Sequence, residues 1–142
     1  MMDYKTGGHS VYEMKYHFVW VTKYRYHILT GEIAHRVREI IRQCCLTRDI
    51  TIIKGSVGKD HIQLLLSCPP TSAPSKIIQY LKGRSSRLLQ QEYSQLKKRY
   101  WGQHLWARGY FCATVGAVNE ETIRKYIEGQ QGEHDDVFDV KE

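Results

Sequence analysis

At 142 residues and 42% apolar content the chain is of single-domain size and able to bury a core, which argues against disorder as its default state. No apolar run approaches a membrane span and nothing at the start reads as a signal peptide, so a soluble cytoplasmic protein is the expectation. The net charge of +6 hides an asymmetry: residues 132–142 hold five acidic side chains and one lysine, leaving residues 1–131 with 20 basic against 10 acidic, a net of +10.

That excess, beside 10 tyrosines and 3 tryptophans, favours a polyanionic partner; an unspecialised basic surface would explain the charge alone equally well. Cys44, Cys45, Cys68 and Cys112 lack CxxC spacing, which argues against a zinc knuckle and for reduced thiols in the core.

In chain order, residues 12–22 alternate as a strand, with Tyr16, Phe18 and Trp20 on one face. The segment KYRYHILTGE turns the chain into a helix over 33–48, whose apolar stripe is Ile33, Val37, Ile40, Ile41 and Cys44. ITIIKGSV (50–57) and residues 61–67 are strands, and GKD between them makes an antiparallel hairpin. PPTSAP interrupts, and Ser75 is placed to cap a second helix running to about Tyr93. LKKRYWGQH reads as a basic connector and 105–116 as a fourth strand, with Trp20, Trp106 and Tyr110 as core aromatics. Asn119 caps a last helix, EETIRKYIEGQQ.

The order β-α-β-β-α-β plus a terminal helix predicts an α+β, ferredoxin-like (split βαβ) antiparallel sheet, with helices on one face and a C-terminal helix beyond. One domain spans residues 1–131, followed by an acidic, flexible tail at 132–142.

Two constellations carry chemistry. His61 and Gln63 stand two apart at the mouth of the third strand and so share a face, while Asp60 should face away from them. Tyr126 and Gln130 stand four apart on the last helix, on one side of it. Singly, each has a bland explanation: a hydrogen-bonded strand-edge histidine, and a solvent-facing helical pair. Together they are coherent. A tyrosine hydroxyl with a pKa of about 10 becomes a useful nucleophile when a divalent cation polarises the phosphodiester it attacks. An imidazole nitrogen and two amide oxygens suit Mg²⁺ or Mn²⁺, and the lack of thiolates disfavours zinc.

The segments YHFVWVTKYRYHIL, DHIQLLLS, YLKGRSSRLL, LWARGYFCATVG and YIEGQ, in this order, resemble the single-tyrosine transposases of the smallest bacterial insertion sequences, members of the HUH endonuclease superfamily, together with their REP-associated tyrosine transposase relatives. The resemblance covers nearly the whole chain. It implies cleavage and rejoining of single-stranded DNA at hairpin-bearing ends through a 5′-phosphotyrosine, with no nucleotide cofactor. It implies Tyr126 as nucleophile carried on the C-terminal helix, a divalent metal held by His61, Gln63 and Gln130, and a homodimer whose tyrosine helix can complete the partner's site.

The chain departs from the family pattern at Gln63, where the motif has its second histidine. An amide oxygen is a poorer donor than that nitrogen, so weaker metal binding is expected. The rival readings are a hairpin or single-stranded nucleic-acid binder weakened or inactive in catalysis, and a domesticated relative that processes palindromes. For DNA contact the second helix offers Lys82, Arg84, Ser85 and Arg87, extended by Lys97, Lys98 and Arg99 and by Lys23 and Arg25. Each is equally an ordinary solvated side chain by itself.

Overall fold

The computed structural model describes residues 6–7, 10–11, 13–129 and 136–138. A short hairpin, β1 (Thr6–Gly7) with β2 (Ser10–Val11), precedes the main sheet. The sheet begins with β3 (Met14–Val21), the alternating segment expected near 12–22. Tyr16, Phe18 and Trp20 are buried on one face, which leaves Lys15, His17 and Val19 on the other.

Helix α1 (Gly31–Thr47) buries Val37, Ile40, Ile41, Cys44 and Cys45, the expected stripe with Cys45 added and with Ile33 only partly buried. β4 (Thr51–Val57) and β5 (His61–Cys68) then form the expected antiparallel hairpin, closed by the Gly58 amide donating to the His61 carbonyl at 2.9 Å. Residues 62–68 of β5 are all buried, as befits a central strand covered on both faces. The register of β4 slips between Ile52 and Lys54. Because one extra residue exchanges the faces of everything after it, this bulge sets Ser56 opposite Gln63 on the same side of the sheet.

Helix α2 (Pro74–Glu92) follows Ala73 and starts on Pro74, whose fixed φ suits a first turn. Ser75, expected as the cap, therefore lies inside the helix. The basic connector holds one further short helix, α3 (Ser94–Arg99). With α1 and α2 on one side, Tyr16, Phe18, Trp20, Ile62, Leu64 and Leu66 belong to the main core.

The last pairing strand of the expected fold, β6 (Phe111–Val115), joins β3 but is shorter than 105–116. Residues before it have left the sheet: Trp106 makes a single bridge with Thr22, and Gly109 turns the chain at φ 88°. Trp106 is buried edge-on against Trp20 at 5.8 Å, as expected, but Tyr110, lying in this departing stretch, is exposed rather than core.

Helix α4 (Glu120–Gly129) lies on the opposite face of the sheet, where Ile127 packs with Leu65 and Val115, and Ile53 and Ile123 close around them. The Asn119 carbonyl accepts the first helical bond, from Ile123. Its side chain, expected to cap the helix, instead accepts from the Gly116 amide at 2.8 Å.

The acidic tail contains a strand. β7 (Asp136–Phe138) pairs with β4, completing the order β6-β3-β5-β4-β7, and Phe138 is fully buried. Gly55 makes room for it, since a Cβ there would lie 2.6 Å from Phe138 Cζ. Within the segment expected to be a flexible tail, residues 136–138 thus supply an edge strand. All four cysteines are free, as their spacing suggested. No helix among the described residues is long and apolar enough to cross a membrane.

Candidate active site

His61 opens β5 where the hairpin turn ends. Its Nδ1 lies 2.9 Å from Asp60 Oδ1, and Asp60 Oδ2 accepts from Arg25 Nε at 2.9 Å. Asp60 precedes the strand, so strand alternation does not turn its carboxylate away, contrary to the sequence expectation. Burial pushes the Asp60 pKa up, but hydrogen bonds from His61 and Arg25 and the Arg25 charge outweigh it and hold the carboxyl below its ordinary value. A carboxylate can only accept, so the shared proton sits on His61 Nδ1 and the Nε2 lone pair is left for another partner. The ring needs the bare backbone of Gly58, where a Cβ would come within 2.3 Å of His61 Cε1.

Gln63 lies two residues along on the same face and is buried. Its Oε1 has no hydrogen-bond partner, nor has the hydroxyl of Ser56 directly across the β4–β5 pair. A third buried orphan is Nε2 of His17, which sits on β3 opposite Leu65, diagonal to Gln63 and on the same face. Burial lowers the His17 pKa, partly opposed by the neighbouring Gln63 side chain. Buried polar atoms without partners are rare, and three on one face leave bonding capacity there for water, a ligand or an ion. His17 escaped the sequence reading. The signal was present: a polar residue between apolar neighbours on the strand face opposite Tyr16 and Phe18.

These residues fit a hard divalent cation in donor chemistry, one imidazole nitrogen and one unpartnered amide oxygen within a strand step of two. Among the described residues no group of three or more His, Cys, Asp or Glu could hold a metal ion. Any metal here would therefore rely on His61 with amide oxygens. Gln130, the remaining expected ligand, lies outside the described residues.

Tyr126 projects from α4 onto this same face. Its ring meets His17 edge-on at 6.5 Å, and it is 53% exposed. Ion pairs of Lys15 with Glu120 and of Lys54 with Glu128, the latter at 3.3 Å, tie the two ends of α4 to β3 and β4. The tyrosine thus packs at the level of Leu65, one step past Gln63. His61 lies about 14 Å further along the strand from that level, at ~3.4 Å per residue. The structure brings Tyr126 beside His17 and does not stack it on His61.

The expected DNA-binding residues separate into several places. Lys23, Lys82, Arg87 and Lys97 line a groove of about 810 Å³ between α2 and residues 102–109, which Arg108 and His104 also line. Lys82 is partly sequestered: it donates to the Ala107 and Gly109 carbonyls at 2.9 and 2.8 Å, and burial lowers its pKa. Ser85 does not face solvent. It is fully buried, donates to the Leu81 carbonyl at 2.6 Å and accepts from Trp106 Nε1 at 3.0 Å, so its hydroxyl is a structural link between α2 and the loop. Arg84, Lys98 and Arg99 are exposed outside the groove, and Arg25 is held by Asp60. Between Lys23 and Arg25 runs a single 3-10 turn in which Tyr24 and Arg25 both adopt left-handed backbone, φ 63° and 55°. Such strain costs roughly 1–3 kcal/mol per residue and is characteristic of functional sites.

The fold recurs in solved structures. A crystal structure assigned as a transposase from Deinococcus radiodurans matches with a TM-score of 0.73 at 32% identity, covering 90% of this chain and 98% of that one. A REP-associated tyrosine transposase bound to a REP hairpin matches with a TM-score of 0.61 over 80% of this chain and 64% of its own; at 13% identity that likeness carries the fold alone. The architecture is that of the tyrosine transposases. In sequence, the chain is 37% identical over 129 residues to the ISDra2 transposase TnpA of Deinococcus radiodurans, covering 91% of this chain and 92% of that protein. It is 37% identical over 130 residues to the transposase for insertion sequence element IS200 of Salmonella typhimurium, covering 92% and 85%. The IS200-like transposase family matches residues 10–130, and the chain belongs to that family.

Proposed function

We propose that the chain cuts and rejoins single-stranded DNA at hairpin-bearing ends, with Tyr126 as the nucleophile. The observation that carries this reading is the placement of Tyr126, beside His17, on the same face of the sheet as Gln63 and His61, with the α2 groove supplying basic surface for DNA. The Tyr126 hydroxyl gives up its proton as its oxygen attacks phosphorus, the bond to the 3′ oxygen breaks, and the 5′ phosphate remains on the tyrosine while the leaving 3′ oxygen takes up a proton in exchange. Rejoining reverses these steps with a new 3′ hydroxyl, so no nucleotide is consumed. His61 and Gln63, with Gln130, would hold Mg²⁺ or Mn²⁺, which when bound polarises the phosphate and stabilises its extra negative charge. Asp60 fixes the His61 ring for that task, and Arg25 fixes Asp60.

The level of Tyr126, past Gln63 and away from His61, favours a homodimer in which α4 shifts or is delivered by the second copy. The substrate proposed is a folded DNA end of the kind that a protein of the same fold, the REP-associated transposase, holds as a REP hairpin.

A second reading has its own observation. Gln63 stands where the motif has histidine, which favours a hairpin-binding protein with impaired cleavage. Incubating a labelled hairpin taken from the DNA bordering the gene with Mn²⁺ or Mg²⁺, against a chelator control, separates the two. Metal-dependent cutting by the unsubstituted chain supports the enzyme; cutting only after Gln63→His supports the impaired binder.

A further inference from the structure

The turn Lys23–Arg25 joins two surfaces, since Lys23 lines the α2 groove and Arg25 binds Asp60 at the His61 site. Between them Tyr24 is 69% exposed. A ring so exposed adds little to the core, yet two successive left-handed residues are maintained to present it. It also belongs to a chain of tilted rings. Tyr26 lies 5.5 Å from it and the buried Tyr100 lies 5.8 Å from Tyr26, each pair inclined by 50°, and the Arg99 guanidinium covers Tyr26 at 4.1 Å. Hydrogen bonds hold the assembly: Thr22 Oγ1 donates to the Tyr26 carbonyl at 2.8 Å and the Lys23 amide to the Leu105 carbonyl at 2.9 Å. Lys23 Nζ lies over the Tyr24 ring, 5.3 Å from its centre, so a cation sits at the ring face and an incoming base must take the ring in its place or from the other side.

A solvent-facing aromatic with a lysine at its face is suited to an unpaired nucleotide, the base stacking on the ring and the phosphate drawing the lysine to itself. We infer that Tyr24 is a stacking platform for one unpaired base of the DNA strand passing from the α2 groove to the His61 site. This rests on the reading of the chain as a single-stranded DNA transposase. Every base has a π face, so Tyr24 would fix the path of the strand rather than read its sequence. By fixing the path it sets which phosphate, counted from the hairpin, arrives at His61.

The test uses Tyr24→Asn, which removes the ring but tolerates left-handed backbone, and Tyr24→Trp, which keeps an aromatic face. The full chain and both variants are titrated with two fluorescent DNAs, the gene-bordering hairpin alone and the same hairpin with its single-stranded flank. Tyr24→Asn should bind the flanked hairpin roughly 5- to 150-fold more weakly, the loss of one base–aromatic stack, and the bare hairpin unchanged. Tyr24→Trp should match the unsubstituted chain on both. Equal weakening on both DNAs, or no weakening on the flanked one, overturns the platform. If the unsubstituted chain binds neither DNA, the transposase reading falls and the platform with it, an outcome distinct because it needs no substitution.

Discussion

Asp60 bridges His61 and Arg25, one carboxylate oxygen 2.9 Å from the imidazole Nδ1 and the other 2.9 Å from the guanidinium Nε. The bridge fixes both the tautomer and the tilt of the ring, so its removal should act on the site more than on the fold. Asp60→Asn is expected to lower Mn²⁺ affinity about 10- to 100-fold while leaving hairpin binding intact. Calorimetric titration with Mn²⁺ beside a DNA-binding assay checks it, and equal losses in both would assign Asp60 to the fold instead.

Gly58 serves the same ring by having no side chain. In Gly58→Ala the new methyl would need the space of His61 Cε1, 2.3 Å away. The imidazole must swing aside, which removes Nε2 from the face shared with Gln63. Metal-dependent cleavage should fall at least tenfold, the order expected when a ligand loses its orientation, with the melting temperature nearly unchanged. Unaltered cleavage would show that the ring position is not used.

Much of this was legible in the sequence. Period-two alternation in residues 14–21 and helical spacing in residues 33–44 identify β3 and α1, because in both the buried face is a simple function of position. What escaped was set by tertiary pairing. His17 gains its meaning from lying diagonal to Gln63 across a strand pair, and Ser56 from a bulge that no local pattern announces. Ser85 has the composition of a phosphate contact, but helix phase turns it inward to Trp106. Phe138 sits among acidic residues, and only the open edge of β4 and the bare Gly55 explain its burial.

That pair gives a stability prediction. Phe138→Ala should cost about 3–5 kcal/mol, the range for truncating a buried aromatic. Gly55→Val, which displaces the same ring, should add little on top of it, because both variants release β7. Urea unfolding of the two single variants and the double variant checks this; additive losses would mean that Gly55 and Phe138 act separately.

Tyr100 makes the alkaline side of the stability profile specific. Burial pushes its phenol up to about 12, partly offset by the Arg99 charge. An unfolded tyrosine ionises near pH ~10. The raised value therefore stabilises the fold fully below about 10 and ceases to do so as pH rises through about 12. Tyr100→Phe, having no proton to lose, should show a shallower fall in unfolding midpoint over that window. Parallel profiles for the two proteins would contradict the assignment.

The central claim is that Tyr126 makes a covalent bond to DNA. The gene-bordering hairpin, labelled on the side that keeps the 5′ phosphate, is incubated with Mn²⁺ and the full chain, denatured, and examined by gel and by mass spectrometry of the tryptic peptides. A DNA adduct on the peptide containing Tyr126, absent from Tyr126→Phe while that variant still binds the hairpin, is the predicted result. An adduct that persists in Tyr126→Phe, or cleavage by the unsubstituted chain without any adduct, would contradict it.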